Sequence, residues 1–464
     1  MIELKGKFAD AKIFIDEVEE GVVEQIMHTL DSETSKGLKV RIMPDTHVGK
    51  GCVIGFSMEL GKFLNPNMIG VDLGCGMLSA SFSNQTSMDL EKLDIKIREK
   101  VPMGMNLQES IRFHEIPFGD VQEIANSFVE NYNKKFNTSY VAPLYDEEWL
   151  TNKLTQVGMD TKKFYSAIGT LGGGNHFIEV GKSENSPNYW LTIHTGSRNF
   201  GLKIAEYWIN VARGNVFVET EDFKSEMREI IENTTPKSEI SKKIKDLRER
   251  YSLNLNPEYL EGENLINYLF DMIFAQQYAL WNRQTILSLI KKALNIKNFD
   301  EEVNSIHNYI DFKDFIIRKG AIASYIGEKM IIPFNMRDGI LLCEGKSNED
   351  WNNTAPHGSG RLMSRGKAKE SVSLEDFKRV MKDVYSTSVC KSTIDESPFA
   401  YKNSKMIETM IEPTVTILDR IKPILNIKDK SEGESWKDRK AKKKKDENLR
   451  RERDEMSYRK MKRM

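Results

Sequence analysis

The 464-residue sequence predicts an α+β fold, and three observations carry that expectation. Strand-like and helix-like runs come in clusters rather than in strict alternation, which argues against a doubly wound parallel sheet. A block from about residue 204 to 298 reads as helix and interrupts the strands. No stretch repeats at a period of roughly 20–50 residues, so a solenoid or propeller is excluded.

Each element follows from local pattern. In the first hundred residues short strands lie between glycine turns: residues 38–43 alternate, 52–58 are rich in β-formers, and 77–82 leave a turn that holds Asp72 and Cys75. Residues 119–165 are polar and predict helices with loops. Strands return at 177–180 and 190–193. Within the helical block, 265–294 repeats apolar residues at spacings of three and four. Residues 303–345 are strand-rich again, and helices are expected near 374–385 and 404–422. The expected organisation is one catalytic domain of mixed β-sheets flanked by helices (1–429, with a helical insertion at 204–298), followed by a basic tail, flexible or helical, at 430–464.

Composition narrows the class. Hydrophobic residues at 39% and charged residues at 30% describe a soluble globular chain. No run approaches the roughly 18 apolar residues of a membrane span. The first seven residues, Met1 to Lys7, lack the apolar block of a signal peptide. Cys52, Cys75, Cys343 and Cys390 lie far apart, so a disulfide framework is not expected and a reducing cytoplasm is. The net charge of −1 hides an asymmetry: residues 436–464 hold 14 Lys/Arg against 6 Asp/Glu, leaving −9 on the rest. A basic tail on an acidic body fits a polyanionic partner such as nucleic acid, or else a solubilising helix.

The chemistry lies in short segments. His176 follows Gly172-Gly173-Gly174-Asn175, His194 precedes Thr195-Gly196, His307 precedes Asn308-Tyr309, and His357 leads Gly358-Ser359-Gly360-Arg361. Core histidines usually occupy apolar runs, whereas glycines beside His, Asp and Cys let the backbone approach a metal or a phosphate. Asp72 and Cys75, three residues apart across a glycine turn, can reach one ion. One Asp, one Cys and three His exceed a single tetrahedral site, so two metals sharing a bridging thiolate are expected. Ligand softness alone favours Zn or Fe ahead of Mn. His357, set against backbone N–H groups and Arg361, suits a phosphate; it could be a ligand, a general acid or a nucleophile.

Six motifs in order resemble the RtcB-type RNA ligases, from about residue 35 to Lys428: Pro44-Asp45-Thr46-His47-Val48-Gly49-Lys50-Gly51, Gly70-Val71-Asp72-Leu73-Gly74-Cys75-Gly76-Met77, the segment Gly172 to Glu179, His194-Thr195-Gly196-Ser197-Arg198, His307-Asn308-Tyr309 and His357-Gly358-Ser359-Gly360-Arg361. The resemblance implies a GTP- and Mn²⁺-dependent enzyme that joins RNA 3′-phosphate or 2′,3′-cyclic phosphate ends to 5′-hydroxyl ends in tRNA splicing or RNA repair. By position it implies two Mn²⁺ ions on Asp72, Cys75, His176, His194 and His307, with His357 carrying GMP and Asp45 orienting it. Asn175, Phe177, Glu179, Ser359, Gly360, Tyr401 and Lys428 would contact the nucleotide, with Glu179 on the N–H edge of the base. Arg198, Arg283 and Arg361 would meet RNA phosphate; Asn282-Arg283, taken as surface residues, could equally be structural.

Where many family members carry a Gly-Ser-Met-Gly-type loop, this chain has Phe334-Asn335-Met336-Arg337. That marks a divergent branch and leaves nucleotide preference open. Two alternatives to ligation stand beside it. One is another metal-dependent phosphoesterase or phosphotransferase; the other is an inactive factor that binds RNA ends.

Overall fold

Alternating apolar residues build two large sheets, and the cleft opens between them. The computed structural model describes residues 1–83, 88–214, 221–233, 243, 246–247 and 258–431. The first sheet joins β1 (Ile2–Lys5), β2 (Asp10–Ile13), β3 (Val40–His47), β4 (Ile54–Glu59), β10 (Ile316–Lys319) and β9 (Asn308–Ile310) in that spatial order. It is mixed, because β2 and β3 run parallel while the other pairs are antiparallel.

The second sheet has seven strands. Its spatial order is β12 (Lys329–Pro333), β13 (Ile340–Gly345), β15 (Val415–Ile427), β6 (Phe177–Ser183), β7 (Tyr189–Thr195), β5 (Gly76–Phe82) and β8 (Glu301–Ile306), antiparallel throughout. A short pair, β11 (Ala321–Ala323) with β14 (Thr354–Pro356), carries the chain up to His357.

Period-two alternation decides which side chains meet the cleft. On β6, Ile178 and Val180 join Leu78, Leu191, Ile193, Leu425 and Ile427 in one apolar cluster. Phe177 and Glu179, on the opposite face, line the cleft.

Helices close the outer faces: α1 (Glu20–Leu30), α2 (Leu90–Lys100), α3 (Phe118–Phe136), α4 (Glu147–Gln156), α5 (Thr161–Ala167), α6 (Arg198–Ala212), α7 (Glu221–Asn233) and α8 (Gly262–Ala293). Helix α8 runs 32 residues and is buried on most of its circumference, as a core helix must be when apolar residues surround its axis. It packs on α2, α3, α6, β5 and β7. Its Phe274 and Tyr278 interlock with Phe164 and Phe200. Burial of each such ring stabilises the fold by roughly 1.5–3 kcal/mol. Asp89, Asp146 and Asp160 cap α2, α4 and α5 by accepting backbone N–H bonds.

The fold is α+β, with several local departures from the sequence reading. Helices α1 and α2 lie in the stretch expected to be strands and turns. Three short helices, α9 (Arg365–Ser371), α10 (Leu374–Val380) and α11 (Ser404–Met410), lie between β14 and β15. The helix expected over 404–422 ends at Met410, and Val415–Ile427 is instead the long central strand β15. Its apolar residues alternate, and Pro423 is accommodated where the register shifts against β6. Parts of the 204–298 block, and the basic tail beyond residue 431, lie outside the described residues.

Candidate active site

The turn after Gly70 brings Asp72 and Cys75 beneath the ends of β5, β7 and β8. Three imidazoles close on the Cys75 thiol. His176 Nε2 is 3.5 Å from Sγ and His194 Nε2 is 3.4 Å from it. His307 Nε2 lies 3.3 Å from His194 Nε2, and Asp72 Oδ2 is 2.9 Å from His176 Nε2. Two overlapping ligand sets result: Cys75, His194 and His307, and Asp72, Cys75 and His176. Cys75 belongs to both, as a bridging ligand must.

Electrostatics support cations here. Burial, then the neighbouring imidazoles, hold His194 and His307 well below the ordinary histidine range, so both present lone pairs at neutral pH. Burial, then Asp72, pushes the Cys75 thiol up. A dication reverses that by stabilising the thiolate. Burial raises the Asp72 carboxyl, but its contacts with His176 and Cys75 and the nearby Arg198 charge outweigh it and leave Asp72 below its usual value. His176 Nδ1 donates to Leu171 O at 2.9 Å, which fixes the tautomer with Nε2 toward the thiol. This donor set fits two metal ions.

His357 stands next to this cluster, its ring centre 4.9 Å from that of His307. Its Nδ1 is 2.7 Å from Oδ2 of the fully buried Asp45. That contact leaves Nε2 as the free ring nitrogen. Gly360 (φ +71) follows with a backbone so close that a Cβ would strike Asp45 at 2.0 Å, so only glycine fits. Gly196 is equally constrained: a Cβ there would meet Asp72 Oδ1 at 2.2 Å.

The histidines open onto a cleft of about 540 Å³ whose far wall carries Asn175, Phe177, Glu179, Ser359, Tyr401 and Lys428. Ser359 Oγ donates to Phe334 O at 3.0 Å. The Lys428 ammonium sits 5.4 Å above the Phe177 ring and donates to Asn175 O at 3.1 Å. Burial pushes the Glu179 carboxyl up to about 8, against smaller lowering from Asn426 and Lys428.

Several wall residues had no part in the sequence reading. Glu396 pairs with Lys428 at 2.9 Å and accepts a hydrogen bond from Tyr401 Oη at 2.8 Å. Burial works against its charge, but Lys428 and Arg365 prevail and hold it near 2. Asn426 donates to Glu179 at 2.7 Å. Glu396 lies in no glycine motif and gave no signal. Asn426 had one: it stands two residues before Lys428, hence on the same strand face, but no strand was expected over residues 423–428. Phe334, Asn335 and Met336 of the divergent loop line the cleft, while Arg337 turns to Asp338.

The three arginines are placed differently from one another. Asn282 and Arg283 are fully buried, which corrects their reading as surface residues. Arg283 Nη1 donates to Gly74 O and Thr195 O at 2.9 and 3.0 Å, bracing the two turns that present Cys75 and His194. Asn282 binds the backbone at Gly169, Thr170 and Gly196. Arg198, half-buried, donates to Thr170 Oγ1 and Gly104 O at 3.1 Å each. Arg361 lines the cleft and donates to Met363 O and Asp395 O. Cys52 is packed in the core. Among the described residues no helix is long and apolar enough to cross a membrane.

Fold and site together define a protein that gathers a thiol, a carboxylate and three imidazoles beside a carboxylate-held histidine and a nucleotide-sized cleft. Residues 32–429 match the family model described as tRNA-splicing ligase RtcB. Similar chains include the RNA-splicing ligase RtcB of Escherichia coli (strain K12), 28% identical over 84% of this chain and 90% of that protein. Another is the tRNA-splicing ligase RtcB of Nanoarchaeum equitans, 24% identical over 83% of this chain and 87% of its own length. The chain belongs to the RtcB family.

Proposed function

We propose that this protein is an RNA ligase, acting in the cytoplasm on tRNA or other cleaved RNA, that joins a 3′-phosphate or 2′,3′-cyclic phosphate end to a 5′-hydroxyl at the expense of GTP. Residues 1–429 form the catalytic domain, and the basic residues from 430 onward add contact with RNA phosphates.

His357 Nε2 attacks the α-phosphate of GTP; a phosphorus–nitrogen bond forms and pyrophosphate leaves. Asp45 holds Nδ1–H, keeping the lone pair on Nε2 and stabilising the positive ring as it forms. The GMP group then passes to the RNA 3′-phosphate, which frees the imidazole and creates an anhydride whose leaving group is GMP. Attack by the 5′-hydroxyl completes the phosphodiester and expels GMP. A cyclic end is first hydrolysed to the 3′-phosphate. Two Mn²⁺ ions, held by Asp72, Cys75, His176, His194 and His307, supply charge neutralisation at the non-bridging phosphate oxygens when bound.

Phe177 offers a flat apolar face to the base and Glu179 its acceptor. Ser359, Gly360, Asn175, Tyr401 and Lys428 surround the remainder of the nucleotide. Arg361, at the cleft, and the half-buried Arg198 are the arginines assigned to RNA phosphate; Arg283 acts through the ligand-bearing turns.

The observation that carries this reading is the 2.7 Å contact of His357 Nδ1 with buried Asp45, in a ring packed against the ligand imidazole of His307. In a metal-dependent phosphoesterase the same Asp45-held imidazole would act as a general acid and carry no covalent nucleotide, so labelling separates the two. Incubation with [α-³²P]GTP and Mn²⁺ should yield protein-bound, acid-labile label. Ligation of tRNA halves bearing a cyclic phosphate and a 5′-hydroxyl should follow. Absence of label with saturating Mn²⁺ removes the first step, and label without ligation reduces the protein to a nucleotidyl-accepting binder.

A further inference from the structure

Glu179 on β6 and Asn426 on β15 are directly opposite residues of an antiparallel pair. Each is only 2% exposed, and each lines the cleft. Asn426 Nδ2 donates to Glu179 Oε2 at 2.7 Å, so one carboxylate oxygen is already taken. The other oxygen, Glu179 Oε1, is buried without a hydrogen-bond partner among the described residues, and so is Asn426 Oδ1.

A buried acceptor left unpaired forfeits the hydrogen bonds it made in water, and two on adjacent strands are a marked exception in a folded protein. The neighbouring donors are occupied. Lys428 Nζ is held by Glu396 and by Asn175 O. The Thr192 hydroxyl, beside Glu179 on β7, is paired with Ser79 at 2.7 Å. Among the described residues no free donor is left at this end of the wall, and with Glu179 ionised the two unpaired oxygens are acceptors. Phe177, two residues along the same strand face, provides a ring against which a flat base can lie.

We infer that Asn426 is a specificity-determining residue for the nucleotide: its Oδ1 accepts the 2-amino group of guanine while Glu179 Oε1 accepts N1–H. Guanine places those two donors side by side and so meets both acceptors. Hypoxanthine lacks the amino group and leaves Oδ1 unpaired. Adenine presents an acceptor at N1 and leaves Oε1 unpaired. A carboxylate alone would receive both donors on its two oxygens; here the Asn426 amide occupies one of them and offers its own oxygen instead.

This inference rests on the GTP-dependent reading above, and the test separates the two. Binding of GTP and ITP to the full chain is measured by equilibrium competition, alongside transfer of label from the [α-³²P] form of each. The wild-type protein should bind GTP about tenfold tighter than ITP, the factor one hydrogen bond supplies. Asn426→Leu should bring that ratio to within about twofold by weakening GTP alone, and Asn426→Ser, which keeps an acceptor, should fall between. A wild-type ratio in either variant overturns the inference, and Asn426→Ser serves if the leucine variant does not fold. A GTP preference that Asn426→Leu abolishes, without protein-bound label from any variant, sinks the histidine transfer but supports the base-reading pair. Failure of the wild-type protein to bind either nucleotide overturns both.

Discussion

Two buried polar clusters meet at the short strand β9, and they differ in one respect. On one side Arg318, fully buried, has every donor engaged. Its Nε binds Thr354 Oγ1 at 3.0 Å, Nη1 binds Tyr309 Oη and Asp311 at 3.3 and 3.0 Å, and Nη2 binds Tyr325 Oη and the Asn353 carbonyl at 3.3 and 3.1 Å. On the other side His307, Cys75, His194, His176 and Asp72 point lone pairs at one another, and Nδ1 of both His194 and His307 is unpaired. Both centres are buried, but only one is satisfied. A saturated charge cluster holds the fold by itself, whereas one that turns imidazole lone pairs toward a shared thiol is shaped for something that it must bind.

The contrast can be broken experimentally. Cys75→Ala removes the atom common to both ligand sets, so metal content and nucleotide labelling should both be lost, while His357→Ala should lose labelling alone; metal analysis beside autoradiography reads this. Equal metal loss in both would dissolve the division between ligand and nucleophile. In the saturated cluster, Arg318→Met should instead cost about 3–5 kcal/mol of stability by stranding its buried partners. Thermal and denaturant unfolding would record that, with metal content per folded molecule unchanged. A loss of metal there would mean that the clusters are one.

Asp45→Asn keeps the shape around His357 but not the charge. The labelling rate should fall on the order of a hundredfold with metal and nucleotide still bound, and single-turnover measurements would detect it. A smaller effect follows from Glu179, which burial pushes up to about 8. Below that pH the carboxyl is protonated, and a proton must leave before Oε1 can accept N1–H of guanine. GTP affinity should therefore weaken as pH falls from 8 to 6.5, by up to about tenfold per unit, and Glu179→Gln should flatten the profile. The least of these changes is removal of residues 430–464, which should lower RNA affinity and the steepness of its salt dependence. An unaltered slope would release the tail from RNA contact.

Much of the site was legible because glycine turns announce it. Asp72, Cys75, His176, His194, His307 and His357 each stand in short polar or glycine-rich segments, where a core residue would sit in an apolar run. The strands were legible where alternation was clean, as at β5, β6 and β7. Helices α1 and α2 were missed amid the turns and strands of the first hundred residues. Strand β15 was read as helix up to residue 422 and given no element beyond it, so Asn426 was not placed beside Lys428. The surface reading of Arg283 failed for a different reason. Charge predicts exposure on average, but this guanidinium is buried where two carbonyls, Gly74 O and Thr195 O, need a donor.

Local sequence therefore settled which kinds of group this protein offers: a thiol, a carboxylate and imidazoles able to ligate a metal, a further imidazole beside a glycine turn, and backbone that can approach a phosphate. Those follow from residue type and the glycines beside them, and need no knowledge of distant partners. Which groups are already spoken for was decided only in three dimensions. Asn426 and Glu179 are 247 residues apart and became partners through the register of β15 on β6. Pairing across a sheet is set by how whole strands align, so it leaves no mark in the neighbourhood of either residue.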